Sequence, residues 1–323
     1  LIGMGGSVLG ARTIYDFLNY KIKKNFTFID NLRPKIKKTS SKKITNIVIS
    51  KSGNTIETIL NTNILLKKKD ENIFITENKK NYLYILAQKL KAEIIHHNNF
   101  IGGRYSVLSE VGMLPAELMG LKINRFKQLN SLIKNKKFLN ALISNVSSTL
   151  YFINKKKFNS IIINYDEKSE SLFQWYQQLI AESLGKKNKG LLPIISNMPK
   201  DNHSLMQLYL DGFKNNFFTF FYVHEKNSDK ISNTNLLSIQ KFLQNKDLSH
   251  ILYAQKKGTE NVFNKKKIPF RSFEIKRRDE KTLGELFCFF ILETILIGKS
   301  INLNPYDQPA VELIKNETKK MLF

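Results

Sequence analysis

The sequence predicts an α/β fold made of two parallel sheets, each flanked by helices in an αβα sandwich, with one further helix at the C-terminus. Three observations carry this expectation. Short runs rich in Ile, Val and Phe alternate with segments of helical period along both halves of the chain. That alternation is the mark of a doubly wound parallel sheet. Glycine and hydroxyl residues gather at strand ends, where ligands of such sheets bind. The 323 residues can supply two cores, and 42% hydrophobic content marks a globular chain.

The elements follow in order. A stub at Leu1–Gly3 opens the first unit, with strands at Phe26–Asp30, Thr45–Ile49, Asn72–Thr76 and Ala92–Ile95. Helices at Val8–Tyr20, Thr55–Lys68 and Asn81–Lys91 fill the gaps. A mostly helical stretch, Val107–Lys155, bridges to a second series. Its strands are Ser160–Asn164, Leu192–Ile195, Phe217–Val223 and Phe270–Ile275. Its helices are Ser169–Leu184, Ser204–Phe213, Leu237–Gln244 and Lys281–Lys299, and a last helix spans Gln308–Met321. The expected domains are 1–120, a helical connection 121–156, a second unit 157–304 and the helix 305–323, with the active site in the cleft between the units. The first residue is Leu, the first strand is short and no secretory signal is visible, so an incomplete N-terminus is expected.

Composition narrows the function. The longest apolar run, Leu286–Gly298, is interrupted by Glu293 and is too short for a membrane span, so a buried helix is expected there. One cysteine, Cys288, allows no disulfide framework or thiolate metal site within the chain, which fits a reducing compartment. The net charge of +25 raises the question of a polyanion partner. The basic clusters, Lys35–Lys43, Lys67–Lys69, Lys134–Lys137, Lys155–Lys157 and Lys265–Lys267, are scattered and lack interleaved aromatic residues for base stacking. A solvated surface, without nucleic acid, is the expectation.

The strongest local signal is Ser50-Lys51-Ser52-Gly53-Asn54-Thr55, between the strand run Ile47–Ile49 and a helix with Ile56, Ile59, Leu60 and Ile64 on one face. Backbone N–H groups and the helix dipole supply a positive field there, and hydroxyls supply directed hydrogen bonds. The bland alternative is a simple N-cap, but a cap needs one hydroxyl and this turn offers three. Gly3-Met4-Gly5-Gly6-Ser7 stands at another strand end, and its glycines permit close backbone approach to an anion. It could also open a dinucleotide site, although Asp30 makes a poor ribose ligand with a turn following at Asn31–Pro34.

Four further segments carry chemistry. Arg104, after Gly102-Gly103, is a permanent cation suited to an anion or a developing oxyanion, with a structural arginine as the alternative. Gln178 and Glu182 are four apart on a largely apolar helix, where a carboxylate is costly unless paired or functional. Glu182 suits a general base; the alternative is an ion pair with Lys186. His203, in Asp201-Asn202-His203-Ser204, alone among five histidines has a polar turn-to-helix setting. Adjacent His96 and His97 would point apart, so a metal pair is not expected; His224 and His250 have no evident partners. Gln308 opens the last helix, Pro309 fits its first turn, and Lys315 follows two turns on.

Taken in order along the chain, these segments resemble the glucose-6-phosphate isomerase family, bacterial type. The match rests on Gly3–Ser7, Ser50–Thr58, Gly102–Ser106, Glu182 in Glu-Ser-Leu-Gly-Lys, His203, and Asp307-Gln308-Pro309-Ala310-Val311-Glu312 with Lys315. The resemblance implies two sugar-isomerase (SIS) domains. It also implies aldose–ketose isomerisation of glucose 6-phosphate and fructose 6-phosphate through a cis-enediolate, without metal or organic cofactor. By resemblance, Ser50, Ser52, Thr55 and the Lys51 backbone grip the phosphate, and Gly6, Ser7, Gln178 and Gln308 line the pocket. Glu182 moves the proton, Arg104 stabilises the enediolate, and His203 and Lys315 open the ring. A cytoplasmic homodimer with shared sites is implied, His203 coming from the partner subunit. The alternatives are an isomerase acting also on mannose 6-phosphate and a non-catalytic sugar-phosphate module. Two departures from the family stand out: the segment before Gly3 is absent, and Glu110 replaces an expected Pro or small residue.

Overall fold

Sheet one places β1 (Thr45–Ile49) beside β2 (Glu71–Thr76) and β3 (Glu93–His96), all parallel. The computed structural model describes residues 1–35, 44–236 and 238–322. Most of the basic cluster Lys35–Lys43, and Leu237 of an expected helix, lie outside them. The N-terminal stub extends this sheet through Ile2, which bridges Val48 on one side and Ile29 on the other. The expected strand Phe26–Asp30 is therefore reduced to a single bridge. Its Phe26 and Phe28 instead pack their rings around Tyr15.

Sheet two holds β4 (Asn159–Asn164), β5 (Leu192–Asn197), β6 (Asn216–Val223) and β7 (Phe270–Ile275) in the parallel order β5-β4-β6-β7. All eight residues of β6 are buried, as a central strand covered on both faces requires. Its side chains divide by the two-residue period. Phe217, Phe221 and Val223 join one core, and Phe218, Phe220 and Tyr222 join the other. The edge strand β7 alternates between partial burial and exposure.

Eleven α-helices surround the sheets among the described residues: α1 (Leu9–Leu18), α2 (Ile56–Leu65), α3 (Tyr82–Leu90), α4 (Glu110–Leu118), α5 (Leu129–Leu132), α6 (Lys136–Asn154), α7 (Glu170–Leu184), α8 (Met206–Asp211), α9 (Leu248–Lys265), α10 (Glu280–Ser300) and α11 (Val311–Leu322). The largest core crosses between the two halves. It joins Ile14 and Phe17 of α1 to Trp175 and Leu179 of α7 and to Phe287 and Phe290 of α10. The apolar run Leu286–Gly298 is indeed a buried helix, and its Glu293 pairs with Arg271. No helix among the described residues is long and apolar enough to cross a membrane.

Two expectations change. Over Leu237–Gln244 the described part is a kinked 3₁₀ segment, Ser238–Leu243. The helix of this region is α9, whose buried face carries Lys256 and Glu260 beside Phe263, so the apolar period is broken by an internal ion pair of 2.8 Å. Glu110 also gains a reason. It is the first residue of α4, where a negative charge meets the positive helix end, and it accepts the backbone N–H of Asn98 at 3.1 Å.

Candidate active site

Strand ends position the first part of the site. β1 runs directly into the Ser50 turn, and Ser50 N–H donates to the Ile75 carbonyl at 3.0 Å. Gly53 adopts a φ of +64°, the left-handed region that glycine tolerates, and a Cβ there would lie 1.8 Å from Asn81 Oδ1. Asn81 caps α3, and Asn54 Oδ1 accepts the Tyr82 N–H, so α3 braces the turn from behind. Ser50 Oγ and Thr55 Oγ1 lie 3.1 Å apart. Thr55 is the N-cap residue of α2 but makes no side-chain cap bond. The turn thus does not spend its hydroxyls on capping, and the first N–H groups of α2 face the turn without a side-chain acceptor. Ser52 Oγ accepts the Asn54 N–H at 3.3 Å. The Lys51 ammonium leaves the turn for the Asn99 carbonyl at 2.8 Å, so only its backbone faces the cradle.

The glycine turn links this cradle to the second unit. Gly5–Ser7 forms one 3₁₀ turn ahead of α1 and packs on the segment Gly103–Leu108. A Cβ on Gly6 would lie 2.3 Å from the Gly103 carbonyl carbon, and one on Gly5 would lie 2.7 Å from Gln178 Nε2. Gln178 Nε2 in turn donates to Glu182 Oε1 at 2.9 Å, the i,i+4 contact that the sequence spacing allows.

Arg104 is buried and fully engaged. Its Nε donates to Ser183 Oγ at 2.8 Å, and Nη2 donates to the carbonyls of Pro305 at 2.7 Å and Asp307 at 3.1 Å. Nη1 faces Glu182 Oε2 at 3.1 Å and also donates to Gln308 Oε1. Trp175 Nε1 holds the Arg104 carbonyl at 3.1 Å. The guanidinium is therefore held at all three nitrogens, with Nη1 shared between Glu182 and Gln308.

Lys186 does not neutralise Glu182. Its ammonium goes to the Asn304 and Asp307 carbonyls and to Asp307 Oδ1 at 2.6 Å. That bond holds the Asp307 carboxyl below its usual range. Lys186, Tyr105 and Arg104 together clamp the 304–308 turn that presents Gln308. A cavity of about 810 Å³ opens here, lined by Glu182, Lys186, Asp307 and Gln308 among others.

Arg104, Gln178, Glu182 and Gln308, expected from the sequence in one site, are brought into direct contact by the fold. Gly6 touches the same group, and Ser7 shares its turn. His203 is exposed in a 3₁₀ turn after β5, and among the described residues no hydrogen bond or ion pair ties it to Glu182. Lys315 is exposed on α11 and pairs with Glu312 at 2.5 Å. Tyr105, Ser183, Asp307 and Asn81 were not singled out from sequence. Asp307 stood beside Gln308 in the motif, and its adjacency was the available signal.

Comparison with known proteins assigns the architecture. A family model described as phosphoglucose isomerase matches residues 1–322. The chain is 32% identical to a glucose-6-phosphate isomerase of Methanocaldococcus jannaschii, covering 97% of this chain and 81% of that protein. It is also 32% identical to one of Mycoplasmopsis pulmonis, covering 100% and 82%. Among solved structures, a hypothetical protein of Thermus thermophilus superposes with a TM-score of 0.90 at 23% identity, covering 99% of this chain and 82% of that one. A glucose-6-phosphate isomerase of Chlamydia trachomatis gives 0.78 at 19% identity, covering 99% and 68%. With the order of its motifs, the contact of Glu182 with Arg104 and a match along its whole length, the chain belongs to the phosphoglucose isomerase family.

Proposed function

We propose that this chain interconverts glucose 6-phosphate and fructose 6-phosphate by proton transfer at Glu182. The observation that carries the reading is the immediate setting of that carboxylate. It is bonded to Gln178 and Arg104 while the lysine one turn away is turned to Asp307. A base must be held but not neutralised by a lysine, and it must stand beside a cation that can take an oxyanion.

The proposed division of labour follows. The Ser50, Ser52 and Thr55 hydroxyls with the Lys51 backbone hold the phosphate, remote from the reacting carbons, so that its binding energy keeps the open chain in register. Glu182 takes the proton from C2 and returns it to C1, and Arg104 Nη1 meets the charge that develops on the enediolate oxygen. Gly6, Ser7, Gln178 and Gln308 line the sugar. His203 and Lys315 assist ring opening. Because no hydrogen bond or ion pair ties His203 to its own Glu182 among the described residues, the reading includes a homodimer in which His203 completes the site of the partner subunit. The division into units 1–120 and 157–304 is part of the same proposal, as is action in the cytoplasm, which the single buried Cys288 suits.

A coupled assay with fructose 6-phosphate tests the core of this. Glu182→Gln is expected to lower kcat at least about a hundredfold with KM little changed; a variant at full rate refutes the assignment. Running mannose 6-phosphate beside it separates a strict from a dual-specificity isomerase. Mixing Glu182→Ala and His203→Ala chains should restore activity in mixed dimers up to about a quarter or half of wild type by site counting. Mixed dimers with no recovery count against shared sites.

A further inference from the structure

The second sheet repeats the strand order of the first. In order of appearance, each unit sets its second, first, third and fourth strands side by side: Ile29, Ile2, β1, β2 in one and β5, β4, β6, β7 in the other. In such sheets the ligand crevice opens beyond the ends of the first and third strands, where the connections diverge. In the first unit those ends carry the Gly5–Ser7 turn and the Ser50 cradle. In the second unit the same position is a cavity of about 570 Å³. Lys168 enters it after β4, Glu225 and Lys226 after β6, and Lys276 and Arg277 after β7.

The charges there do not cancel. Arg278 is occupied by Asp166, at 2.6 and 3.1 Å, and by Glu225 at 2.9 Å. Lys168 meets Glu225 at 3.2 Å. Lys226, Lys276 and Arg277 are exposed at the cavity and have no ion-pair partner among the described residues. Asp279 also lines the cavity, but its carboxylate caps the first turn of α10 and faces Arg125 at 3.7 Å. Three cations brought to one crevice from two strand ends repel one another unless an anion lies between them. The volume suits a small molecule.

We propose that this cavity binds a small phosphate-bearing anion, at a site separate from the Ser50 cradle. The phosphate is held by Lys226, Lys276 and Arg277, with Lys168 at its inner edge. The closing experiment titrates purified protein with inorganic phosphate and with pyrophosphate by calorimetry, in about 150 mM salt to screen the general positive field. The test variant is Lys226→Gln/Lys276→Gln/Arg277→Gln, whose side chains are exposed and make no hydrogen bond or ion pair among the described residues. It is expected to lose one equivalent of ligand relative to wild type, or to bind it at least about tenfold more weakly, with unchanged turnover of fructose 6-phosphate. A control with Lys67, Lys68 and Lys69 changed to Gln should keep that equivalent. Equal stoichiometry and affinity in wild type and test variant overturn the proposal, and so does an equal loss in the control, which assigns the binding to net charge. The difference between variants is read whether or not the Ser50 cradle binds phosphate. Failure of that assignment is read separately in Ser50→Ala/Thr55→Ala, which should keep the equivalent tested here.

Discussion

The two strand-end crevices of this molecule occupy the same place in two copies of one topology, yet they treat their polar groups in opposite ways. After the first strand of unit one comes a glycine turn, and Gly6 sits so close to the Gly103 carbonyl that no side chain fits. After β4 the corresponding 3₁₀ turn, Glu167–Ser169, follows Asp166, whose buried carboxylate accepts from Ser169 and from two nitrogens of Arg278. The inner part of the second crevice carries its own anion, with a fixed guanidinium to match. Among the described residues the first leaves the Ser50 and Thr55 hydroxyls bonded only to each other and the start of α2 without a side-chain acceptor. One fold can thus close the inner wall of the same location with an ion pair in one unit and leave it open in the other, so function has to be argued from the site and not from the sheet.

The largest expected effect tests that division directly. Arg278→Ala leaves Asp166 as a buried unpaired charge and should cost about 3–5 kcal/mol in thermal or denaturant unfolding. Ser50→Ala removes an exchangeable hydroxyl contact and should cost about 1 kcal/mol or less while raising KM for fructose 6-phosphate. If the two variants lose comparable stability, the contrast between an internally satisfied inner wall and an open one is wrong.

Much of this was readable in the sequence because burial on both faces writes long apolar strands such as Phe217–Val223, and because Gly, Ser and Asn mark the strand ends. What was not readable depended on partners distant in sequence. Glu182 and Lys186 are one turn apart, and spacing alone allowed an ion pair; the competing partner, Asp307, lies 121 residues on. α9 was missed because Lys256 is fully buried against Glu260 and Glu274, at a position where an apolar residue would have announced the helix. The Phe26–Asp30 run has strand composition, but only Ile29 pairs with the sheet. The order of motifs named the family, whereas the lock on Arg104 from Ser183, Pro305 and Asp307 could come only from coordinates.

An intermediate effect sharpens the comparison at the glycine turn. Gly6→Ala forces a Cβ to within 2.3 Å of backbone, so Gly103 and Arg104 must shift together. The expected cost is about 1–3 kcal/mol in stability. A larger proportional loss should appear in kcat/KM, because Nη1 of Arg104 is displaced from Glu182. Ser169→Ala, in the matching turn of the second unit, removes a hydroxyl donor to Asp166 and should leave kcat/KM unchanged. A Gly6→Ala enzyme with wild-type kcat/KM would mean that the turn does not position the arginine.

The smallest effect concerns acid. His97 is buried behind the cradle, with Nδ1 at 3.1 Å from the Asn98 carbonyl and 3.6 Å from Glu110, and its Nε2 has no partner among the described residues. Desolvation lowers its pKa below the ordinary 6.5, against the opposing pull of the Asn98 carbonyl and Glu110. The sign follows from which state binds the proton first. Above about pH 6.5 both states carry a neutral ring, and His97 makes no pH-dependent contribution. As pH falls below that value the unfolded chain is protonated before the folded one, so stability declines, by at most about 1.4 kcal/mol per pH unit, until the folded pKa is passed. His203 and His250 in the second unit are exposed and His224 is half-buried beside Glu274, so the fully buried histidine lies on the cradle side. Denaturation midpoints at about pH 7.5 and 5.5, on either side of the ordinary histidine pKa, should separate more in wild type than in His97→Gln, which keeps a polar side chain but cannot titrate. Parallel losses in the two proteins would place the acid response elsewhere and remove this asymmetry between the units.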